Sequence, residues 1–427
     1  MNILLTGANG FIGQHLLQAI VANQHHVTIC CRKPNPHWQN HPQLTVIKMN
    51  FSDSQTSDWL PHLQNIDAVI NAVGMIQQTE TAHFSKIHTL APCALFQAAA
   101  ESGVKKIIQI SALGAELNAI TEYFTSKAQA DEFLKTLPLD WFIFKPSIVY
   151  GHGAKSMALL TALAALPITP LIDKGQQQIQ PVHIDDLVNG VLDALNPEVD
   201  GRKIMAVVGE NPITLKDLLS QLAGWLNQPF RTISIPTPYV KTLVSCGKFL
   251  AEPSLNQDSI AMLEQGNTAS ATDFAAHLGY APKNIEQTLQ TTRANQAARW
   301  QARLYFIRPL LKISIALVWL WAGIVSAVLY PVADSYQMLQ HVGISGIFAP
   351  LTLYGASFAD FCLGVATLFS WRLRLIVSLQ VAIMLIYSIV ITMYLPEVWL
   401  HPFGAMIKNL PLLCASFVFL ILEEERQ

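Results

Sequence analysis

Charge is what this sequence has least of. Lysine, arginine, aspartate and glutamate make up 13% of its 427 residues, while hydrophobic residues make up 51%; an average soluble domain carries about 25% charged residues. A chain this poor in charge is expected to keep part of its length in lipid. The net charge is −2, and no basic stripe or aromatic RNA-binding pattern occurs, so a nucleic-acid partner is not expected. Cysteine is scarce and scattered: Cys30, Cys31, Cys93, Cys246, Cys362 and Cys414 show neither zinc nor redox spacing. Cys30 and Cys31 are adjacent and should point to opposite faces of a strand. His37 and His41 have helical spacing but lie in a proline-rich loop, and no metal is expected. A reducing compartment is the natural setting. No cleavable signal is expected either, because "MNILLTGANG" runs directly from a strand into a glycine turn.

That opening is the most informative stretch present. Ile3–Leu5 is a buried-strand run, "FIGQHLLQAIV" has helical apolar spacing, and "HVTICC" is a second strand. Gly7, Gly10 and Gly13 stand three residues apart within this strand–turn–helix–strand unit. Such glycines permit a tight turn, close approach of backbone to a pyrophosphate and close helix-on-strand packing. Asn9 fits the turn, Phe11 and Ile12 open the helix, and its free N–H groups would meet the phosphates. The expectation is a dinucleotide site. An NAD-selective site usually has an acid near the end of the second strand. Here that strand ends in Arg32 and Lys33, cations suited to a 2′-phosphate, which favours NADP(H) over NAD(H).

Strands and helices continue to alternate: "QLTVIKM", "DAVINAVG", "VKKIIQISA" and "DWFIFKPSIVYG" read as strands three to six. This predicts an α/β Rossmann-type, doubly wound parallel sheet with ligand at the carboxyl ends of its strands. Asn71, Ala72, Val73, Gly74, Ser111, Lys145, Pro146 and Ser147 fall at such ends. Tyr123 and Lys127 stand four residues apart and share one face of a predicted helix. Further on, Asp185 and Asp186 suit a helix N-terminus, Thr214 reads as a helix cap, His183 as a structural histidine rather than a base, and "ISIPTPYV" as an extended connection.

Taken together, "TGANGFIG", "NAVG", "YFTSK", "KPSIVYG" and "PVHIDDLVNGV" resemble the short-chain dehydrogenase/reductase superfamily over roughly residues 1–300. The branch is the extended or atypical one, which includes the NADPH-binding accessory subunit of respiratory complex I and the NAD-dependent epimerase/dehydratases. The resemblance implies Tyr123 as general acid/base, Lys127 as the cation that lowers its pKa and binds the nicotinamide ribose, and Ser111 as the hydroxyl on the substrate oxygen. It also implies Asn50 in place of the family's usual acid near the adenine, Phe51 beside the adenine ring, and Asp53 as a cap for the next helix. Residues 1–150 would be the NAD(P)-binding core and 151–300 a smaller substrate-side α/β part of the same fold.

After residue 300 the pattern changes. Four apolar segments, about 309–330, 350–370, 374–395 and 402–422, each approach the roughly 20 residues that span a bilayer. Residues 301–427 are therefore expected to form an all-α, four-helix transmembrane bundle, and they resemble the DoxX-like membrane family. Arg299, Arg303, Arg308 and Lys312 flank the first segment, Arg372 and Arg374 separate the second from the third, and the loops 331–349 and 396–401 hold no lysine or arginine. By the positive-inside rule both termini and the head face the cytoplasm at the cell's inner membrane. Asp360 lies mid-span and should face the bundle interior. "QTTRANQAARWQARLYFIRP" reads as a basic, aromatic helix along the membrane surface. The leading expectation is an NAD(P)(H)-dependent oxidoreductase with a Tyr–Lys pair, acting on a small, lipid-soluble carbonyl, hydroxyl or quinone-like substrate. The alternatives are a non-catalytic NADPH-binding assembly or sensor protein with a protein partner, and a sugar-nucleotide epimerase or dehydratase.

Overall fold

The computed structural model describes residues 1–79, 82–246, 257–292, 294–400 and 406–424. The chain forms two compact units, Met1–Ala302 and Arg303–Gln427.

The first unit is built on seven parallel strands. These are β1 (Asn2–Thr6), β2 (His26–Cys31), β3 (Leu44–Lys48), β4 (Ala68–Asn71), β5 (Lys106–Ile110), β6 (Asp140–Pro146) and β7 (Lys203–Val207). Their spatial order is β7-β6-β5-β4-β1-β2-β3. The order reverses between β1 and β4, and a crevice opens at such a switch point beyond the strand ends. Alternate residues serve opposite faces, as pleating requires. Ile3, Leu5 and Cys31 pack under α1 (Phe11–Ala22) and α4 (Ile184–Leu195). Leu4 and Cys30 pack under α2 (Ala91–Glu101) and α3 (Glu122–Lys135). The adjacent cysteines therefore do face opposite ways.

Three local readings change. The expected sixth strand divides: β6 stops at Pro146, which has no N–H for the ladder, and Val149–Tyr150 pairs instead with Val182–His183. Strand β7 is not among the six strands expected from the sequence; "KIMAV" pairs with β6 in register, Lys203 to Phe142 through Val207 to Pro146. In "ISIPTPYV" only the first three residues are extended, as part of the strand Thr232–Ile235; a helix begins at Thr237, where Pro238 suits a first helical turn. Thr214 caps the helix Leu215–Trp225, its hydroxyl accepting from the Asp217 N–H at 3.0 Å. His183 likewise caps α4, its Nδ1 accepting from the Asp185 N–H at 3.1 Å.

One buried cation joins two of these elements. Lys106, 6% exposed, donates from β5 to the carbonyls of Ala194 (2.9 Å), Asn196 (3.0 Å) and Val199 (3.1 Å) around the C-terminus of α4. Its ammonium also lies 3.5 Å from Asp140 and 5.3 Å from the Phe142 ring centroid.

The second unit is helical. Among the described residues three helical stretches are long and apolar enough to cross a membrane: Gln296–Leu329, Phe348–Leu368 and Leu373–Tyr394. The first contains α5 (Gln296–Ile324), so the expected surface helix and the first span are one continuous helix that carries Pro309 within it. The others are α6 (Phe348–Leu368) and α7 (Leu373–Tyr394). Within the fourth expected span, 402–422, the described residues form α8 (Asn409–Glu424), at 16 residues shorter than the other three helices; residues 401–405 lie outside the described residues. Ile315, Trp319, Leu363, Ile376, Val377, Met384 and Phe419 form the interior, while Leu351, Phe358 and Ile421 point outward, as they would toward lipid. Glycines allow α5 and α6 to touch: a Cβ on Gly323 would stand 2.6 Å from the Ser357 carbonyl oxygen. Asp360 is buried within the bundle, Gln380 donates to Thr367 at 2.8 Å, and Arg308 and Ser370 both donate to Glu423.

Candidate functional site

The site grows from the turn after β1. Gly7 adopts φ +78°, and a Cβ there would lie 2.6 Å from the carbonyl of Ala72 at the end of β4. A Cβ on Gly13 would lie 2.1 Å from the Gly7 carbonyl oxygen. Only glycine therefore lets the turn, the first turn of α1 and the β4 exit come together. Gly10 is the N-cap of α1, and neither a side-chain cap nor an acid occupies its first turn. The first-turn N–H groups of a helix have no intrahelical partner, and a helix start without cap or acid, packed against the β4 exit, fits a dinucleotide pyrophosphate. Asn9 donates to the Lys33 carbonyl at 3.3 Å, which brings the end of β2 beside the turn, and Arg32 and Lys33 are exposed there.

Tyr123 and Lys127 enter from α3, whose start is capped by Thr121 accepting from the Phe124 N–H. Lys127 is 4% exposed and donates to the carbonyls of Ile110 (3.2 Å) and Ser111 (3.5 Å) at the end of β5. Burial lowers its pKa to about 8, with Asp131 acting in the opposite direction. A Cβ on Gly74 would come within 3.5 Å of this ammonium, so the lysine and the β4 exit loop share one cleft. The Tyr123 ring lies 5.8 Å from the same ammonium and is boxed by Phe84, His88 and Phe124. Burial pushes its phenol up to about 12. With that pKa the phenol holds its proton at neutral pH and can act as an acid.

The remaining predicted residues divide. Asn71 accepts from Thr6 (2.6 Å) and donates to Gln109 (2.7 Å), so it locks the sheet under the cleft. Ala72, Val73 and Gly74 line the β4 exit, where the Val73 N–H donates to Asn71. The Ser111 hydroxyl, expected on the substrate oxygen, is buried and donates to Asp131 at 2.5 Å. Lys145 donates to the Ala115 carbonyl at 2.6 Å, and Ser147 donates to the Gln180 carbonyl at 2.5 Å. The Phe51 ring is not offered to a ligand: it is 8% exposed and packs edge-to-face on Trp59 at 6.1 Å, because the Phe51–Asp53 turn directs it into the core. Asp53 does not cap the following helix, which uses a capping box of Gln55 and Asp58; Asp53 instead accepts from Asn50 and stands 3.9 Å from Lys86.

Two residues absent from the sequence reading join the site. His88 accepts from the Met75 N–H at 3.1 Å and faces the Ser126 hydroxyl at 3.1 Å, which itself donates to the Tyr123 carbonyl at 3.0 Å. Asp131 continues the face of α3 that carries Tyr123 and Lys127. It was legible as a third step of four residues in "YFTSKAQAD"; His88 has no sequence signal of its own.

Comparison with known proteins places this architecture. Residues 7–162 match the NAD(P)H-binding family model, and residues 316–417 match the DoxX-like family. The chain thus carries an NAD(P)H-binding Rossmann domain and a DoxX-like C-terminal domain. Among its relatives is NADH dehydrogenase (ubiquinone) 1 alpha subcomplex subunit 9 of Rattus norvegicus, 24% identical over 69% of this chain and 80% of the relative. Another is ceramide reductase of Caulobacter vibrioides, 21% identical over 56% of this chain and 75% of the relative. The Rossmann fold superposes on MoeE5 in complex with UDP-glucuronic acid and NAD, at TM-score 0.54 and 18% identity over 71% of this chain and 99% of that one. It also superposes on a UDP-glucose 4-epimerase of Thermotoga maritima, at TM-score 0.53 and 18% identity over 73% of this chain and the whole of that one. The matched model is that of an NAD(P)H-binding domain, and the match begins at Gly7, the first glycine of the turn after β1.

Proposed function

We propose that this SDR-like protein is a membrane-anchored, NADP(H)-dependent oxidoreductase acting on an apolar, membrane-resident carbonyl or hydroxyl compound. The observation that carries the reading is the placement of Tyr123 and Lys127 on one face of α3, with the lysine ammonium against the β4 exit loop. When bound, the reduced nicotinamide supplies a hydride. Tyr123, held protonated by burial, donates its phenolic proton to the substrate oxygen; Lys127 supports the phenolate that remains and hydrogen-bonds the cofactor ribose. The surroundings of Tyr123 favour an apolar substrate: Ala112, Ala115, Ala119, Phe124 and Met262 pack around it, and Leu117 and Ile120 stand exposed nearby. In this reading residues 1–150 hold the cofactor, 151–300 the substrate side and 301–427 the bilayer, with the head and the C-terminus in the cytoplasm.

Arg32 and Lys33 support NADPH over NADH through a 2′-phosphate. The second reading, a non-catalytic dinucleotide-binding subunit of a membrane assembly, is favoured by the commitment of Ser111 to Asp131, which leaves the substrate oxygen without that hydroxyl. One experiment separates them. Full-length protein in detergent is assayed for NADPH consumption with long-chain ketones and quinones, while fluorescence gives the dissociation constants of NADPH and NADH. Tyr123→Phe is expected to lower turnover by about 10²-fold or more with NADPH binding unchanged. Equal turnover in wild type and variant would remove the catalytic reading, and tighter binding of NADH would remove the NADP assignment.

A further inference from the structure

Asp131 is a buried acid that the cofactor chemistry has not yet used. It is 1% exposed and lies one turn beyond Lys127 on the face of α3 that begins with Tyr123. Its Oδ2 accepts from Ser111 at 2.5 Å and stands 4.0 Å from the Lys145 ammonium on β6. Beside Ser111, the Gln109 side chain also faces this carboxylate, and both favour its charged form. On the sheet side the chain of hydrogen bonds from Thr6 to Asn71 to Gln109 ends beside this carboxylate. The cluster thus contains two buried or half-buried ammonium groups and one carboxylate, while Lys127 itself has only two backbone carbonyls for partners. Removing an ammonium from water disfavours its charged form, and a neighbouring carboxylate restores it.

We propose that Asp131 is a positioning residue of the cofactor site, which keeps Lys127 an ammonium at the cofactor ribose and ties Ser111 away from the substrate. The proposal rests on the reading that Lys127 meets the cofactor. An acid serving only the packing of α3 would not need to be 1% exposed, hydrogen-bonded to Ser111 and 4.0 Å from one ammonium, one helical turn from another. It would also have no reason to lie one turn from the lysine on the cleft-facing side. Loss of the carboxylate leaves Lys127 desolvated and uncompensated, so its proton departs at lower pH and the ribose loses a charged donor. Atoms and charge balance simply: one proton leaves the Nζ of Lys127 to solvent, and nothing else changes.

The test is the NADPH dissociation constant of the full-length protein from pH 6 to 10, read by nicotinamide fluorescence. Tyr123 and Asp131 on α3, His88 before α2 and Lys145 on β6 are the titratable groups that face Lys127. The wild type should bind uniformly at low pH and weaken along a limb near pH 8, where burial places the Lys127 pKa. Asp131→Asn should move that limb down by about one unit, weakening binding about threefold at pH 7.5 and approaching about tenfold only above pH 9. Adding Lys127→Arg to Asp131→Asn should abolish the limb, because a guanidinium stays protonated throughout. Lys145→Met, which keeps Asp131 and removes the competing cation, should move the limb upward and keeps the proposal testable if Asp131→Asn does not fold. A limb unmoved by both Asp131→Asn and Lys145→Met, or an affinity loss equal at every pH, overturns the proposal alone. A wild-type affinity flat across the range overturns the placing of Lys127 at the cofactor and this proposal with it.

Discussion

His88 shows how one side chain sets the geometry around Tyr123. The Met75 N–H occupies its Nε2, so the ring proton must sit on Nδ1 and point at Ser126. Burial and the nearby Lys127 charge lower its pKa to about 2, from the ordinary 6.5. The sign of the linkage follows. The folded state binds fewer protons at this site than the unfolded state below pH 6.5, so the contribution is complete above 6.5 and is lost as pH falls toward 2. The protein should therefore lose about 3 kcal/mol from this site by pH 4, measured as falling denaturant midpoints. His88→Gln, which cannot titrate, should be less stable than wild type at pH 7 yet show a shallower decline on acidification. An unchanged slope would count against the role. At this scale the glycine turn and the Tyr123–Lys127 pair were readable, because close approach and helical spacing leave marks in sequence. His88 was not, since its partners come from Met75 and α3 through folding alone, and Phe51 was misplaced because a one-turn helix decides which way its ring faces.

Elements are joined here by specific polar contacts as well as by apolar packing. Lys106 carries the clearest case, gathering three carbonyls at the C-terminus of α4, where the helix dipole also favours a cation. Lys106→Met would bury those carbonyls without a donor. At about 1 kcal/mol or more for each unsatisfied group, we expect a loss of roughly 3 kcal/mol in denaturant unfolding, with NADPH affinity unchanged because Lys106 opens β5 at the end of the parallel sheet opposite the glycine turn. A change below about 0.5 kcal/mol would mean that water replaces the ammonium fully. In sequence Lys106 reads only as the first residue of a buried strand, "KIIQI". Strand β7 is not read from the sequence, although Ile204–Val208 is a short apolar run ended by Gly209; such a run does not by itself separate strand from buried helix, and β6 supplies the other half of each hydrogen bond.

At the scale of the whole molecule the chain divides between two solvents. The head buries its apolar residues against a sheet, whereas the DoxX-like C-terminal unit leaves Leu351, Phe358 and Ile421 facing outward, as a membrane-associated surface does. The positive residues at 299–312 and at Arg372 and Arg374, set against loops 331–349 and 396–401 without any, predict the orientation. A fluorescent reporter joined after Gln427 should be active in the cytoplasm, and a reporter active only on the exported side should serve within 331–349. The opposite pattern would invert the topology and separate the head from cytoplasmic NADPH.

The sequence alone determined the dinucleotide fold, the glycine turn, the Tyr123–Lys127 face and the apolar character of the tail, because each is a local pattern with its own period or spacing. Tertiary structure alone decided that Ser111 belongs to Asp131, that His88 braces Tyr123, that β7 completes the sheet and that Lys106 closes α4. Those outcomes depend on which buried polar group meets which partner across the fold, and the low-dielectric interior enforces such pairing only after the chain has closed around it.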